Sequence, residues 1–371
     1  MRSGLGLLGL GALCAAAVSV SSAGGCQADS NSTGSAGPGS GGGGSGSTSS
    51  NNGGGGSTST DTTSSGTAGG GIGGGGEGGS LPTATIQDIT SGTIGEGVDV
   101  ELHGVVAMST KYLVSKSNNT GSCLWGVYIS APGLVETGPN TGVLAVSYGT
   151  PGVTDAEGYI VCPNLESEPA GDAFPDDVAP GDVLDVTGET SYFLLNMCAS
   201  QPPDTNPSQV KQRQLAKVAK VERTSTGGPV PTPHTLTPDE LAGLVSPMNQ
   251  VFHDQWGGVK VRVAGPVAPV LQPDQNGDPR VVGAFGNIYV DLNSNGIIDV
   301  NDLRVGDKIY FVKSSANECH QGPDYPDLTV EWTRIDGFST IDFCNWSLQP
   351  ANKCLDFDPP GEDCVGGLMC P

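Results

Sequence analysis

Gly97-Val98-Asp99-Val100-Glu101-Leu102-His103-Gly104-Val105-Val106-Ala107 returns 161 residues later as Gly258-Val259-Lys260-Val261-Arg262-Val263-Ala264-Gly265-Pro266-Val267-Ala268. Six of the eleven positions are identical. Apolar and charged residues alternate in both copies, so an extended chain puts one kind on each face of a half-buried strand. Each copy then meets a glycine, Gly104 or Gly265, where a strand can bend sharply. A second pair follows, Pro180-Gly181-Asp182-Val183-Leu184-Asp185-Val186 and Val305-Gly306-Asp307-Lys308-Ile309-Tyr310-Phe311, and each is read as a Gly-Asp turn entering another strand. The two landmarks are 84 residues apart in the first copy and 48 in the second. The pattern predicts a duplicated all-β module, with an insertion at residues 149–179 of the first copy.

Between the landmarks of copy one, residues 123–129 and 143–146 read as strands. Residues 214–221 read as a closing strand in preference to a helical turn. Copy two offers strands at residues 280–282, 287–290 and 329–332. About five short strands per copy suit a small closed barrel. Gly227-Gly228-Pro229-Val230-Pro231-Thr232-Pro233 joins the copies and is semi-rigid through its prolines. A short helix follows, with Thr237 as cap, Pro238 in the first turn and Glu240 three residues after the cap.

This order of strands, aromatic-bearing segments and Gly-Gly-Val-x-Val-x-Val repeat resembles tandem OB-fold-like modules of secreted bacterial proteins, some of which stand beside nuclease domains. The resemblance spans about residues 83–345. It implies two OB-fold-like five-stranded barrels in tandem, over residues 82–228 and 229–350. Residues 351–371 then form a Cys-rich tail, with no room for a nuclease.

The chain opens differently. Arg2 is followed by an apolar, small-residue run from Leu5 to Val20, too short for a spanning helix of about 20 residues. Ala23-Gly24-Gly25-Cys26 comes next. This order resembles the leader of bacterial lipoproteins, with Ala23 standing where that family usually has Leu. The resemblance implies a signal peptide at residues 1–25, lipidation of Cys26, and a membrane partner reached through that lipid. Gln27, not Asp, leans to the outer membrane or cell surface. An ordinary secretory signal cut nearby is the alternative; Cys14, preceded by the bulky Leu13, is not a candidate. Residues 26–81 are Gly, Ser and Thr with hardly any apolar side chains, and so form a disordered tether. A coil of that length spans about 40 Å r.m.s..

The chain carries 16 basic and 39 acidic residues. Removing Arg2, Asp29, Asp61 and Glu77 leaves 15 against 36, a charge of −21 on the rest. Such a balance repels phosphate backbones and suits cations. It argues against single-stranded nucleic-acid binding, which lines grooves with Lys and Arg, although Trp125, Tyr128, Tyr289 and Tyr310 are aromatic candidates for stacking. Filling small barrels is the alternative for those rings. Beyond Cys14 and Cys26 stand Cys123, Cys162, Cys198, Cys319, Cys344, Cys354, Cys364 and Cys370. An even set in an exported chain reads as disulfides, of undetermined pairing. Three lie in the first half and five in the second, so complete pairing needs a bridge between the halves. The alternative, a zinc site from Cys319, His320, Cys344 and the tail, lacks CxxC spacing and competes with oxidation.

The best site candidate is Asp291-Leu292-Asn293-Ser294-Asn295-Gly296-Ile297-Ile298-Asp299-Val300-Asn301-Asp302. Oxygen side chains fall at positions 1, 3, 5, 9 and 12, with glycine at 6 for the turn, as an oxygen-ligated Ca2+ loop requires. The loop resembles the calcium loop of dockerin repeats, which carry two such loops with helices; here one is found, entered by a strand. The expected ligands are Asp291, Asn293, Asn295, the carbonyl of Ile297, Asp299 through water, and Asp302. The alternative is an Asx-rich turn that binds nothing. Residues 274–278 begin similarly but place glycine too early. The loop is expected between the third strand and the Gly-Asp strand of the second barrel. No catalytic constellation emerges among His103, His234, His253 and His320: His103 and His234 have no evident partner, and neighbours on a chain such as His253 and Asp254 rarely face each other usefully. The expectation is a non-enzymatic cell-envelope lipoprotein presenting two barrels for binding or a structural role, with Ca2+ as stabiliser. The alternative is an OB-fold protein that binds single-stranded nucleic acid or oligosaccharide beside an extracellular hydrolase.

Overall fold

The computed structural model describes residues 81–117, 120–156, 158–165, 167–194, 211–246, 249–274, 276–283, 286–309, 323–342 and 345–365. The leader, Cys26 and the tether lie outside them. Strands make up 42 % of the structure and helices are few, so the fold is all-β.

The first sheet grows from the first alternating segment. The elements of this module are α1 (Ile86–Thr90), β1 (Asp99–Ala107), β2 (Tyr112–Lys116), β3 (Cys123–Ser130), β4 (Gly142–Tyr148), β5 (Val153–Thr154), β6 (Ile160–Val161), β7 (Val183–Leu194) and β8 (Lys211–Ser225), of which β5 and β6 pair in a small sheet of their own. β1 pairs with β7, β7 with β8, β8 in parallel with β4, β4 with β3, and β3 back with the end of β1. These five strands close a barrel, and β2 adds to the outside edge of β3. Closure depends on Gly104. The β1–β7 register shifts between Leu102 and Val105, Gly104 sits at φ +65°, and its N–H donates to Asp185 Oδ1 at 2.8 Å. A bulge of this kind bends the strand and lets one strand serve two neighbours.

Val100, Leu102, Val105, Val127, Ile129, Val143, Ala145, Leu184, Val186 and Leu215 fill the barrel. Ile86 and Ile89 of α1 join that core, each 1 % exposed. The helix is started by a capping box in which Thr85 and Asp88 satisfy each other's backbone N–H. Just before it, Glu101 N donates to Pro82 O and Ala84 N to Glu101 O, which stitches the entering chain to β1. The predicted insertion holds the β5–β6 hairpin and is tied to β3 by a Cys123–Cys162 disulfide.

The second module contains β9 (His234–Thr235), α2 (Pro238–Val245), α3 (Gln250–Trp256), β10 (Lys260–Pro269), β11 (Gln272–Pro273), β12 (Pro279–Arg280), β13 (Ile288–Asp291), β14 (Leu303–Val305), β15 (Trp332–Asp342), β16 (Asn345–Gln349), β17 (Phe357–Asp358) and α4 (Glu362–Val365), of which β11 and β12 pair in a small sheet of their own. β10 pairs with β13 and β15, β13 with β14, β14 in parallel with β16, and β16 with β15. β10 also shifts register, between Ala264 and Val267. A side chain on Gly265 would collide with the carbonyl oxygen of Trp332, so the repeat's second glycine is a close-approach position. Helix α2 starts as expected, with a Thr237–Glu240 capping box and Pro238 in the first turn, and buries Leu244 in the second core.

The second Gly-Asp landmark needs correction. Gly181-Asp182 opens β7, but Gly306-Asp307 closes β14. Leu303-Arg304-Val305 is already engaged by β13 on one side and β16 on the other, and Gly306 N donates to Leu348 O as the strand ends. The strand that pairs with β10 as β7 pairs with β1 is β15, beginning at Trp332. Tyr310 and Phe311 lie outside the described residues.

The two sheets share a core. Outward residues of β3 and β4 (Leu124, Tyr128, Leu144 and Val146) gather with Tyr112, Val114, Ile309 and Phe338. The Tyr128 and Phe338 rings stack at 4.2 Å and 4°. Gln212 of β8, fully buried, accepts from Thr340 Oγ1 at 2.7 Å and from Ile341 N at 2.9 Å. The Pro-rich joint is clamped to the β3–β4 loop, with Thr232 N donating to Val135 O and Thr137 N to Thr232 O.

Candidate metal centre

The residue 291–302 loop joins β13 to β14, which are antiparallel neighbours in register Val290↔Leu303. It is therefore a hairpin connection, and the expected position ahead of a Gly-Asp strand is corrected with that landmark. A strand does enter the loop, as the sequence indicated. Gly296 at φ +69° supplies the sharp turn, and Ser294 at φ +58° precedes it.

The loop's oxygens converge on its own backbone. Asp291 accepts from Asn295 N at 3.1 Å and Gly296 N at 2.8 Å. Asn293 Oδ1 accepts from Asn295 N, and Asn295 Oδ1 from Ile297 N. The amides of Asn293 and Asn295 both donate to Asp299 Oδ2, at 3.0 and 2.8 Å. The amide of Asn301 leads the bonds that hold the Asp299 carboxyl below its ordinary range. Asp302 is different. It is 8 % exposed, its Oδ2 accepts from Asp299 N at 2.8 Å, and its Oδ1 is buried without a hydrogen bond. Burial pushes its carboxyl up, and the charges of Asp299 and Asp291 add to that against the pull of the Asp299 and Leu292 amides. Among the described residues no three His, Cys, Asp or Glu side chains stand ready around one point for a metal. Ile297 and Val300 are exposed on the loop, and a groove of about 650 Å³ separates it from α2, lined by Leu241, Val245, Val267 and Val300.

The other sequence candidates distribute as follows. Cys123–Cys162 and Cys354–Cys364 are disulfides, with S–S distances of 2.04 and 2.11 Å. Cys26, Cys198, Cys319, His320, Cys344 and Cys370 lie outside the described residues. His103 faces Glu101 and Asp185, and His234 lies between Glu136 and Glu240. Trp125 and Tyr128 are buried, so those two aromatics serve packing.

Two buried polar groups escaped sequence reading. Lys111 has no side-chain exposure; it donates to Asp172 Oδ1 at 2.7 Å and Phe174 O at 3.1 Å and pairs with Asp176. Burial pushes the Asp172 carboxyl up despite that partner. His253 is fully buried, stacks on Trp346 at 4.0 Å and 5°, and pairs through Nε2 with the Leu244 carbonyl. Burial lowers it to about 4, against the carbonyls of Leu244 and Ser246. A neutral imidazole enclosed by protein has no access to a substrate, so His253 is a structural group.

No family model, curated protein or solved structure matches this chain. No helix among the described residues is long and apolar enough to cross a membrane.

Proposed function

We propose that this chain is an exported, non-enzymatic cell-envelope lipoprotein. Lipidation at Cys26 and the Gly/Ser tether hold a two-barrel head off the outer membrane, for binding or a structural role. Both barrels are OB-like in this reading. It is supported by the same order of neighbours in each sheet, β1-β3-β4-β8-β7 and β10-β13-β14-β16-β15, with the last strand returning to the first.

The observation that carries the non-nucleic-acid reading is the fate of Tyr128. OB-folds take oligonucleotides on the face of their second and third strands, which are β3 and β4 here. That face is covered: Tyr128 is 1 % exposed under Phe338 of the second module. The charge of −21 on the chain beyond the tether points the same way. A face spent on joining two barrels makes a fixed platform, not a strand-binding groove.

The test uses the full-length protein in cells and purified. Cys26→Ser should release it from the membrane fraction; persistence there refutes the anchor. Titration with single-stranded DNA at low salt should show no binding, and tight binding that weakens steeply with salt refutes the platform reading.

A further inference from the structure

We propose that this chain cross-links itself: Lys111 Nζ condenses with the Asp172 carboxyl to form a buried isopeptide bond, with Asp176 as the proton-transferring group. Lys111 directly precedes β2, and Asp172 and Asp176 lie in the insertion ahead of β7. The side chains of Lys111 and Asp172 have no exposure and meet at 2.7 Å. Asp176 Oδ1 contacts the same nitrogen, and the Phe174 carbonyl accepts from it at 3.1 Å. Three acceptors for three N–H donors fix the nitrogen in place. Asp172 is held as firmly. Its Oδ2 accepts from Phe174 N at 3.3 Å. The backbone on either side is pinned: Thr150 N donates to Ala170 O at 2.7 Å, and Ala173 N to Ser147 Oγ at 3.1 Å. Phe174 and Trp125, whose ring lies 5.8 Å from Nζ, are both buried and keep water from the pair.

A structural ion pair needs one carboxylate. The second on the same nitrogen leaves a negative charge in excess, and it supplies the base that amide formation needs. Burial pushes the Asp172 carboxyl up against the opposing pull of Lys111, so it is primed to take a proton. Nζ gives that proton to Asp172 along their hydrogen bond, leaving a neutral amine beside a neutral acid. The amine lone pair attacks Cγ and forms the C–N bond. Asp176 takes a second proton from the nitrogen and passes it to the hydroxyl that leaves as the C–O bond breaks. The nitrogen loses two protons in all, and both depart with one Asp172 oxygen as water. Asp176 ends as it began, and no co-reactant enters the balance. Fixed neighbours of this kind react with effective molarities of about 10⁵–10⁸ M. Condensation also removes two buried charges, and the water can leave past Asp176, whose side chain is 38 % exposed. The bond would tie the insertion to the β1–β2 connection across 61 residues, enclosing the Cys123–Cys162 bridge and, unlike it, surviving reduction. Until it forms, the three groups hold as the ion cluster described above, so removal of Lys111 costs stability in either state.

The test is mass spectrometry of purified full-length protein after unfolding, reduction and tryptic digestion. Trypsin should fail to cut after Lys111. The fragments carrying Lys111 and Asp172 should stay joined, lighter by one water molecule than their sum. Lys111→Arg, which keeps the positive charge, and Asp172→Ala should each give separate fragments of full mass. Asp176→Asn keeps the shape and removes the base; it should retain the wild-type circular dichroism yet remain largely uncondensed. Separate, full-mass fragments from the wild type, with cutting at Lys111, would overturn the bond. A fully condensed Asp176→Asn protein would overturn the part given to Asp176.

Discussion

His253 makes the stability of this protein depend on pH in a way that one substitution should remove. The imidazole is enclosed between α3 and Trp346, and burial lowers it from 6.5 to about 4. The unfolded chain binds the proton first as pH falls, because its histidine titrates near the ordinary value. Stability is therefore unaffected above about pH 7, is lost as pH falls through 6.5, and levels off below 4. At 1.36 kcal/mol per pH unit, the loss between pH 7.5 and 5.0 is about 2 kcal/mol. Below the folded value it reaches about 3 kcal/mol.

His253→Phe keeps a flat ring against Trp346 and removes the titration. It also strands the Leu244 carbonyl, at a pH-independent cost of about 1–3 kcal/mol. The measurement is the unfolding free energy of wild type and variant by urea titration, in chelator, at several pH values from 7.5 to 5.0. The difference between the two proteins should narrow by about 2 kcal/mol across that range. The acidic side chains titrate alike in both and cancel. Parallel curves would show that His253 is hydrated enough to accept its proton in the folded state, and the argument from burial would fail.

Lys111→Met should cost about 3–5 kcal/mol in urea unfolding, because Asp172 and Asp176 lose the cation they enclose. Phe338→Ala removes the ring stacked on Tyr128 and should cost about 3–5 kcal/mol; calorimetry should also show melting broader than the wild type's, or split in two, as the modules uncouple. Non-reducing peptide mapping should recover Cys123–Cys162 and Cys354–Cys364. If Cys198, Cys319, Cys344 and Cys370 also pair among themselves, Cys198 must join one of the other three.

The alternating repeat was enough to find β1 and β10 and the glycines at which both bulge, because period and glycine act through local sterics. The capping box of α2 was legible for the same reason. The second Gly-Asp was not. That dipeptide makes a turn equally well at either end of a strand, and only the engagement of residues 303–305 by β13 and β16 decides which. The calcium-type loop was placed one connection too late as a result. Lys111 reads as a surface charge until the insertion folds over it from 61 and 65 residues away. Tyr128 could be read as a stacking platform or as packing; its cover comes from the other repeat, which no local pattern records.

The stitch between residues 82–84 and Glu101 has a mechanical meaning. In the proposed arrangement, any drag on the head is transmitted through the tether to this point. The load falls first on the Pro82, Ala84 and Glu101 backbone bonds, then on α1, whose Ile86 and Ile89 plug the barrel. The strand ring itself lies behind that plug. Force would draw out a short helix and lengthen the leash before it opened a sheet, so the plug would work as a mechanical fuse between membrane and head.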